Sequence, residues 1–501
     1  MGAQCSLFVL DDKKNLGDKF QPNILNKYIH SEIIINQKII IYDYNDNPYD
    51  HYEQLDMLGT GTNSKIYKTV NKNNKTNRAI KTYDLSDNQS EKLNNLIKNE
   101  IKILKHLDHP NIVKLFEYYQ NPKETHLILE LLGNDIFDKL SKNQKFSEEQ
   151  TAKFIVQIIS AVKYMHDNGI IYRDIKPENI LIYDEENFLV KLIDYDTSLY
   201  INEKKLKEKI GTPSYMAPEI LKGEEYDYKV DVWSIGILMY FLLMGCLPFQ
   251  GINEDEIFKS ILKDKIDFSN MSSNLISNEA INLMKDLLNK DSYKRININE
   301  ALNSDFIKKY INNESKKSLI QNISFTKDNL KNFKIKNFIQ LIVYTYLIHI
   351  NYDLNNSIYN NLNKLFIFFD EDNDGLLNKN EFNFFLSYYY NENEVKELSD
   401  KFFILFNDEN NKNQFITYSN FLLININIGN YLNETNIQNV FNKMDIKKQG
   451  KINKEDIKFI FDKENLFKNQ EDIFINTINK YGRNIEFPID YNNYLKYVNE
   501  E

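Results

Sequence analysis

The sequence predicts an α+β domain followed by an all-α module. Residues Tyr52–Leu132 contain short apolar runs separated by turn residues, a pattern typical of strands. The segment Glu148–His166 is amphipathic with the helical period, and the last third of the chain places polar loops between helical segments. A length of 501 residues is enough for two to four domains, on a prior of about 150 residues for each.

Composition narrows the function classes. The net charge of −10 argues against nucleic acid as a partner, because a phosphate backbone binds basic surfaces. The two cysteines, Cys5 and Cys246, cannot form a disulfide framework, so we expect a reducing, cytoplasmic compartment. No apolar run reaches the roughly 18 residues that a membrane span requires. We expect a monomer.

The first six residues, MGAQCS, match the pattern for N-myristoylation of Gly2, and Cys5 is a neighbouring site for palmitoylation. A single myristoyl chain binds membranes only marginally, so stable peripheral attachment is expected to need both acyl groups. An ordinary N-terminus without lipid is the alternative. Two isoleucine-rich runs, Ile33–Ile35 and Ile39–Ile41, predict a short hairpin or a strand pair before residue 52.

Two segments predict phosphate chemistry. In Leu58–Tyr67, LGTGTNSKIY, two glycines between strand-like segments allow backbone amides to approach phosphates, although a tight hairpin explains the same letters. In Ile170–Leu181, IIYRDIKPENIL, Asp174 can accept a hydroxyl proton, Lys176 can neutralise a moving phosphate, and Asn179 can hold a metal ion.

These motifs resemble those of protein kinases. IIYRDIKPENIL is similar to the H-R-D-x-x-x-x-N catalytic loop with Tyr172 in place of His, and Asp194-Tyr195-Asp196 stands where D-F-G is expected. The glycine-rich segment is similar to G-x-G-x-x-G-x-V. The resemblance implies a bilobal α+β protein kinase fold over residues 52–310, with ATP and Mg²⁺ as cofactors.

The resemblance also implies roles for individual residues. Lys81 would bind the α- and β-phosphates and pair with Glu100, on a helix predicted at Asn88–Leu107; a solvent-exposed Glu100 is the alternative. Asp174 would be the catalytic base, with Lys176 at the γ-phosphate, and Asn179 and Asp194 would hold Mg²⁺. The remaining nucleotide contacts are expected from Leu58, Gly59, Gly61, Ser64, Ile66, Ala79, Leu129, Glu130, Leu132 and Leu181.

Some residues depart from the kinase pattern or complete it. Asp196 replaces a Gly that tolerates backbone angles Asp dislikes, and its extra carboxylate could displace a metal ion. Glu208 is predicted to pair with Arg173 in place of a phosphate. Further expectations are a structural ion pair between Glu219 and Arg295, little effect of Tyr172, and basic protein substrates attracted by Asp135 and Glu178, with ordinary surface charge as the alternative.

The C-terminal third contains a predicted helix and a predicted calcium loop. Phe325–Ile350 interleaves basic and apolar residues and is typical of a calmodulin-target helix, with a plain packing helix as the alternative. Phe369–Phe382, FDEDNDGLLNKNEF, fits the EF-hand pattern. The expected Ca²⁺ ligands are Asp370, Asp372, Asp374, the carbonyl of Leu376, Asn378 and Glu381.

Three more loops follow at EF-hand spacing, but each lacks ligands. Asn407–Asn420 is too long, Asp445–Asp456 has Lys447 and Gln449 at ligand positions, and Gly482–Asn493 lacks the opening acid. We expect these loops to pair helices without binding Ca²⁺ strongly.

The order of these features resembles the calcium-dependent protein kinases of plants, ciliates and apicomplexan parasites. It implies an N-terminal extension (1–51), a kinase domain (52–310), an autoinhibitory junction (311–356) and a calmodulin-like EF-hand module (357–501) with one intact loop, 370–381. The implied function is a serine/threonine kinase whose junction blocks the substrate groove until Ca²⁺ binds. Asp196 and Ser64 keep open an inactive calcium-sensing membrane scaffold, and the degenerate loops keep open a kinase that calcium no longer controls.

Overall fold

The computed structural model describes residues 42–44, 46–61, 63–86, 90–133, 145–201, 206–268, 276–311, 325–353, 356–407, 414–461 and 485–500. The acylation motif with Gly2 and Cys5, the predicted hairpin Ile33–Ile41, and Asp135 lie outside these residues.

The first lobe is a six-stranded sheet with one helix. Its elements are β1 (Tyr42–Tyr44), β2 (Tyr52–Thr60), β3 (Ser64–Asn71), β4 (Asn77–Asp84), α1 (Ser90–His106), β5 (Leu115–Gln120) and β6 (Glu124–Glu130). The strand order is β1-β5-β6-β4-β3-β2, and only the β1–β5 pair is parallel among these strands. α1 forms where the apolar stripe predicted it, and it buries Ile97, Ile101 and Leu104 against one face of the sheet.

The second lobe is mainly helical. Its helices are α2 (Glu148–Asp167), α3 (Pro218–Leu221), α4 (Lys229–Met244), α5 (Glu254–Lys263), α6 (Asn278–Leu287), α7 (Ile298–Leu302) and α8 (Asp305–Ile311). Its short strands are β7 (Ile170–Ile171), β8 (Ile180–Asp184), β9 (Leu189–Leu192) and β10 (Leu199–Tyr200). α2 begins at Glu148, where the helical pattern predicts it, and a capping box of Ser147 and Gln150 stabilises this start.

The C-terminal part is helical with two short antiparallel ladders. Its helices are α9 (Phe325–Asn332), α10 (Phe338–Asn351), α11 (Ser357–Phe369), α12 (Lys379–Ser387), α13 (Glu392–Phe406), α14 (Tyr418–Asn425), α15 (Glu434–Met444), α16 (Lys454–Phe461) and α17 (Tyr491–Val498). Its strands are β11 (Leu376–Asn378), β12 (Phe415–Thr417), β13 (Lys451–Ile452) and β14 (Ile489–Asp490). β11 pairs with β12 and β13 pairs with β14, so the four predicted loops are joined as two pairs.

The prediction of one helix over Phe325–Ile350 was wrong. The segment forms two helices, α9 and α10, separated by residues 333–337. The side chain of Asn337 accepts a hydrogen bond from the Gln340 amide at 2.9 Å and caps a new helix there. An Asn at this position favours a helix start over continuation, which explains the break.

The outer face of the first-lobe sheet is covered by the C-terminal helices. One continuous apolar cluster joins Ile80, Phe116 and Ile128 of the sheet to α10 and to the helices of the loop pairs. The sheet is therefore sandwiched between α1 on one face and α10 on the other. Among the described residues, none of the helices has the length and apolarity needed to cross a membrane.

Candidate active site

A buried lysine between two carboxylates forms the centre of the cleft. The Lys81 ammonium lies 2.9 Å from Glu100 Oε1 and 2.7 Å from Asp194 Oδ1. The Lys81 and Glu100 side chains are 6% and 1% exposed, whereas Asp194 is 37% exposed. The Tyr83 hydroxyl, two residues after Lys81 on β4, donates to Glu100 Oε2 at 2.5 Å. The structure thus brings together the three residues predicted to grip phosphate and metal.

The charges of this cluster stabilise one another. Burial acts against the ionised form of Lys81, but Asp194 and Glu100 outweigh it and raise the pKa of Lys81 well above its usual value. Burial likewise acts against ionised Asp194, yet the Lys81 ammonium lowers the pKa of that carboxyl group. Lys81 and Asp194 are consequently ionised near neutral pH.

The catalytic loop presents Asp174, Lys176 and Asn179 to one point. Lys176 Nζ lies 2.7 Å from Asp174 Oδ2, and Asn179 Nδ2 donates to that same oxygen at 2.9 Å. The Thr212 hydroxyl donates to Asp174 Oδ1 at 2.6 Å, and Lys176 Nζ donates to the Thr212 hydroxyl at 2.9 Å. The predicted base is therefore fixed by three neighbours at the end of β7.

The loop is held from below by a buried aspartate. Asp231 on α4 accepts hydrogen bonds from the amides of Tyr172 and Arg173 at 3.0 and 2.8 Å, and from His166 at 2.8 Å. The left-handed φ of +72° at Arg173 turns the chain so that both amides face this carboxylate. The Tyr172 hydroxyl donates to the Ile193 carbonyl, so the residue that replaces His ties the loop to the segment before Asp194.

The sheet register assembles the nucleotide pocket. Gly59 lies opposite Ile66, Ile66 opposite Lys81, and Ala79 opposite Leu129. Gly61 donates its amide to the Ser64 carbonyl at 2.8 Å, so the glycine segment is a tight hairpin as well as a candidate phosphate loop. Further pocket positions follow in the chain: half-exposed Leu58, buried Glu130, and partly buried Leu132 and Leu181.

The residues at the metal position fit Mg²⁺. The Asn179 amide nitrogen is used by Asp174, which leaves its oxygen without a hydrogen-bond partner among the described residues. Asp194 turns its carboxylate into the cleft from a left-handed φ of +62°, which Asp tolerates better than most residues. An amide oxygen and a carboxylate are ligands of the type that Mg²⁺ prefers.

The backbone concern about Asp196 is not met. Asp196 is not among the described residues with a left-handed φ, so this position does not require the Gly of the kinase pattern. Its carboxyl group is partly buried beside Asp194. Loss of solvent, and to a smaller extent the negative charge of Asp194, raise the pKa of Asp196 to about 7. Tyr195 is fully buried and packs against Tyr172 with ring centroids 5.2 Å apart, as an aromatic residue at this position should.

Both predicted ion pairs of the second lobe are present. Arg173 Nη1 lies 3.1 Å from Glu208 Oε2, while Arg173 Nε donates to the Thr197 carbonyl at 2.7 Å. Arg295 contacts both oxygens of Glu219 at 2.7 and 3.0 Å, and both side chains are buried. Glu208 therefore pairs with Arg173 in place of a phosphate, as predicted.

The predicted calcium loop brings its carboxylates together. Asp370, Asp372 and Asp374 each offer an oxygen within 4.8 Å of the others. Glu381 closes the loop, because its Oε1 accepts from the Glu371 amide at 2.9 Å and its Oε2 from the Asn378 amide at 2.9 Å. Burial and the neighbouring carboxylates raise the pKa of Asp370 well above its usual value. An oxygen-rich site of this charge fits Ca²⁺.

The third loop keeps the same backbone without the same charges. Asp445 accepts from the Gly450 amide at 2.6 Å, as Asp370 accepts from the Gly375 amide at 2.9 Å. Gly450 and Gly375 both have a left-handed φ, of +73° and +80°. Within the described ranges, no cluster of three candidate ligands forms at this loop. Parts of the second and fourth loops, 408–413 and 482–484, lie outside the described residues.

The calcium loop lies directly against the kinase lobes, which sequence reasoning missed. The Ser160 hydroxyl on α2 donates to the Asn373 carbonyl at 3.2 Å. Helix α14 also contacts the kinase domain, because Asp108 accepts hydrogen bonds from the backbone amide and hydroxyl of Ser419 at 3.0 and 2.8 Å. Single polar contacts of this kind have no periodic signature in the sequence. The contact of Tyr83 with Glu100 was also missed, but it could have been predicted because Tyr83 lies two residues after Lys81 and on the same face of the strand.

Comparisons with known proteins agree with this geometry. The protein kinase domain family matches residues 52–307. Calcium-dependent protein kinase 5 of Plasmodium falciparum (isolate 3D7) is 34% identical over 495 residues, which cover 97% of this chain and 83% of that protein. Calcium-dependent protein kinase 5 of Plasmodium berghei (strain Anka) is 33% identical over 440 residues, covering 86% of this chain and 75% of that protein. Calcium-dependent protein kinase 3 of Plasmodium yoelii yoelii is 36% identical over 353 residues, covering 68% and 63%.

The lysine–glutamate pair, the catalytic loop and the full-length similarity point the same way. The enzyme is a protein serine/threonine kinase that requires ATP and Mg²⁺ and is regulated by Ca²⁺. The chain belongs to the family of calcium-dependent protein kinases.

Proposed function

We propose that this chain transfers the γ-phosphate of ATP to serine and threonine hydroxyls of basic protein segments, under control of Ca²⁺ at the loop Asp370–Glu381. The observation that carries the proposal is the Lys81 ammonium held between Glu100 and Asp194. Kinase catalysis needs the lysine–glutamate pair and the metal-binding aspartate in place together. Both are in place here, which favours an active enzyme over the inactive scaffold.

The chemistry assigns a task to each polar group of the cleft. Lys81 binds the α- and β-phosphates. Asp194 and Asn179 would hold Mg²⁺, which would supply positive charge against the phosphates. Asp174 orients the substrate hydroxyl and accepts its proton as that oxygen bonds to the γ-phosphorus and ADP leaves. Lys176, within 2.7 Å of Asp174, stabilises the transferring group.

The proposal of basic substrates is supported by an acidic side chain near the proposed catalytic base. Glu178 is exposed on the catalytic loop, four residues after Asp174. Acidic side chains at this edge attract lysine and arginine in a bound peptide.

The regulatory part of the proposal rests on where the junction lies. The described part of the junction packs on the outer face of the first-lobe sheet, in the cluster that contains Phe116 and Ile128. The cluster that contains Tyr215 and Met216 of the substrate platform includes no described junction residue. We propose that this docked arrangement is the active one and that without Ca²⁺ the junction moves to block the groove.

Membrane attachment is a separate part of the proposal. Gly2 and Cys5 would carry myristate and palmitate, and the pair of acyl chains would hold the kinase at a membrane as a peripheral protein. Intact-mass measurement of the wild type and of Gly2→Ala, expressed in a eukaryotic cell, tests this. A wild-type mass without a myristoyl increment contradicts it.

The decisive experiment for the function is phosphate transfer to a basic peptide with Ca²⁺ and with chelator. Asp174→Asn is the inactive control, and Glu381→Gln removes the bidentate position of the calcium loop. We expect transfer by the wild type only with Ca²⁺, with a shallow dependence because one loop is intact. Glu381→Gln should need a higher Ca²⁺ concentration.

Each alternative function gives a different result. Transfer no greater than that of Asp174→Asn would identify the scaffold. Equal transfer with Ca²⁺ and with chelator would identify a kinase that calcium does not control. A Hill coefficient near three or more would contradict a single functional loop.

A further inference from the structure

A buried lysine, Lys191, links the segment between the two lobes to the β8–β9 ladder. Lys191 Nζ lies 3.1 Å from Glu130 Oε2, and the two side chains are 1% and 3% exposed. The same ammonium donates to the Ile112 carbonyl at 3.3 Å and to the Tyr352 hydroxyl at 3.4 Å. Glu130 and Ile112 belong to the kinase domain, whereas Tyr352 follows helix α10 of the junction.

The two kinase residues of this cluster lie next to nucleotide contacts. Glu130 is the last residue of β6 and leads directly into the segment with Leu132, which is proposed to bond adenine. Lys191 lies opposite Leu181 in the β8–β9 ladder, and Leu181 is the proposed floor of the pocket. The ion pair therefore fixes the connecting segment between the lobes against the floor.

Tyr352 encloses this ion pair from the regulatory side. It is 1% exposed, and its ring centroid lies 5.6 Å from Lys191 Nζ and 5.2 Å from Lys114 Nζ. Such distances allow cation–π attraction, which is strong where water is excluded. The Tyr352 hydroxyl continues the network to the Tyr418 hydroxyl at 3.1 Å and the Asn363 amide at 3.2 Å, both in the C-terminal module.

We propose that Tyr352 is a positioning residue for ATP, acting through the Lys191–Glu130 pair. With its ring and hydroxyl in place, the Lys191 ammonium is dry and its bond to Glu130 is short. Without them, water reaches the ammonium, the pair loosens, and the adenine-binding segment loses its fixed distance from Leu181. The phosphate-transfer groups around Asp174 are not touched by this change, so nucleotide affinity should fall while the chemical step is kept.

This inference rests on the proposed adenine contacts, and two measurements test it separately from catalysis. For Tyr352→Phe with saturating Ca²⁺ and peptide, we expect the KM for ATP to rise about fivefold, the size expected for a long hydrogen bond to a charged group. The kcat should stay within about twofold. Calorimetric titration with Mg·ADP should show the same loss of affinity, and it reports on the site even if no phosphate transfer is seen.

The matched control is Tyr359→Phe. Tyr359 is also buried, packs edge-on against Tyr352 with centroids 5.0 Å apart, and donates its hydroxyl to the Ile348 carbonyl at 3.4 Å. Its hydroxyl bonds helix α10, so its loss should leave ATP and ADP affinity unchanged. Lys191→Met should reproduce the loss seen for Tyr352→Phe.

Three results would overturn the inference. One is an unchanged ADP affinity in Tyr352→Phe when its unfolding midpoint equals that of the wild type. Another is an equal loss in Tyr359→Phe, which would indicate a general weakening of the interface. The third is a fall in kcat at constant KM, which would place the effect on the chemical step.

Discussion

Replacing Lys364 by Met tests how the calcium-loop helices are held on the second lobe. Lys364 on α11 lies 2.9 Å from Asp184 at the end of β8, and the side chains are 15% and 9% exposed. Although burial acts against the charge of Asp184, hydrogen bonds from Lys364, Asn187 and Asn360 lower the pKa of that carboxyl group from 3.8 to about 2.

The size of the effect follows from that shift. A change of nearly two pKa units corresponds to about 2.5 kcal/mol at roughly 1.4 kcal/mol per unit. Three neighbours share it and solvent screens part of it, so we assign about 1 kcal/mol to Lys364. Lys364→Met should lower the free energy of unfolding by this amount and weaken docking of α11 on the second lobe.

The assay is a double-mutant cycle of Lys364→Met and Asp184→Asn in urea unfolding of the full chain. The matched control is Lys379→Met, because Lys379 forms a 2.7 Å pair with Asp400 whose partners are 50% and 44% exposed. We expect that control to cost less than about 0.5 kcal/mol. The reasoning is refuted if both lysine variants cost the same, or if the Lys364–Asp184 coupling energy is zero within error.

Three further predictions concern pH, the calcium loop and the activation segment. Burial lowers the pKa of His109 to about 3, below its unfolded value of 6.5. The contribution of neutral His109 to stability is therefore complete above pH 6.5 and is lost as the pH falls. Between pH 7 and 5 the wild type should lose about 2 kcal/mol more free energy of unfolding in urea than His109→Asn, and equal losses would contradict this. Gly375→Ala places a Cβ 2.5 Å from His109 at a φ of +80°, whereas Gly450→Ala at +73° meets nothing within 4 Å; the first variant should be less stable by about 2 kcal/mol or more relative to the second, and similar unfolding midpoints would argue against the contact. Glu208→Gln should lower kcat by less than about fivefold, because the Glu208 side chain is 58% exposed and solvent screens its charge, and because Arg173 keeps its bond to the Thr197 carbonyl. A hundredfold loss in peptide assays would show that Glu208 controls the activation segment.

The residues of the cleft could be predicted from local sequence motifs, whereas the long-range packing contacts could not. Asp174, Lys176 and Asn179 lie on one loop, and Lys81 on a neighbouring strand, so their spacing carried the necessary information. The break between α9 and α10 was missed because the apolar pattern continues across it, and the Asn337 cap outweighs that pattern locally. The contact between Asp108 and Ser419 joins residues 311 positions apart and leaves no trace in periodicity.

The burial of α10 limits how a calcium signal can reach the cleft. All residues from Phe338 to His349 are buried, so this helix is enclosed on every side and is not an amphipathic helix with one free face. If α10 separated by itself from the neighbouring helices, several large apolar side chains would become exposed to water. Each would cost about 1.5–3 kcal/mol of stability. The contacts of α10 with the sheet include Arg78, which donates to the Ile350 carbonyl at 2.8 Å. If α10 leaves the sheet, it should therefore move as part of the C-terminal module. Movement of the junction toward the substrate groove without Ca²⁺, as proposed above, should therefore involve the C-terminal module as a whole and not α10 alone.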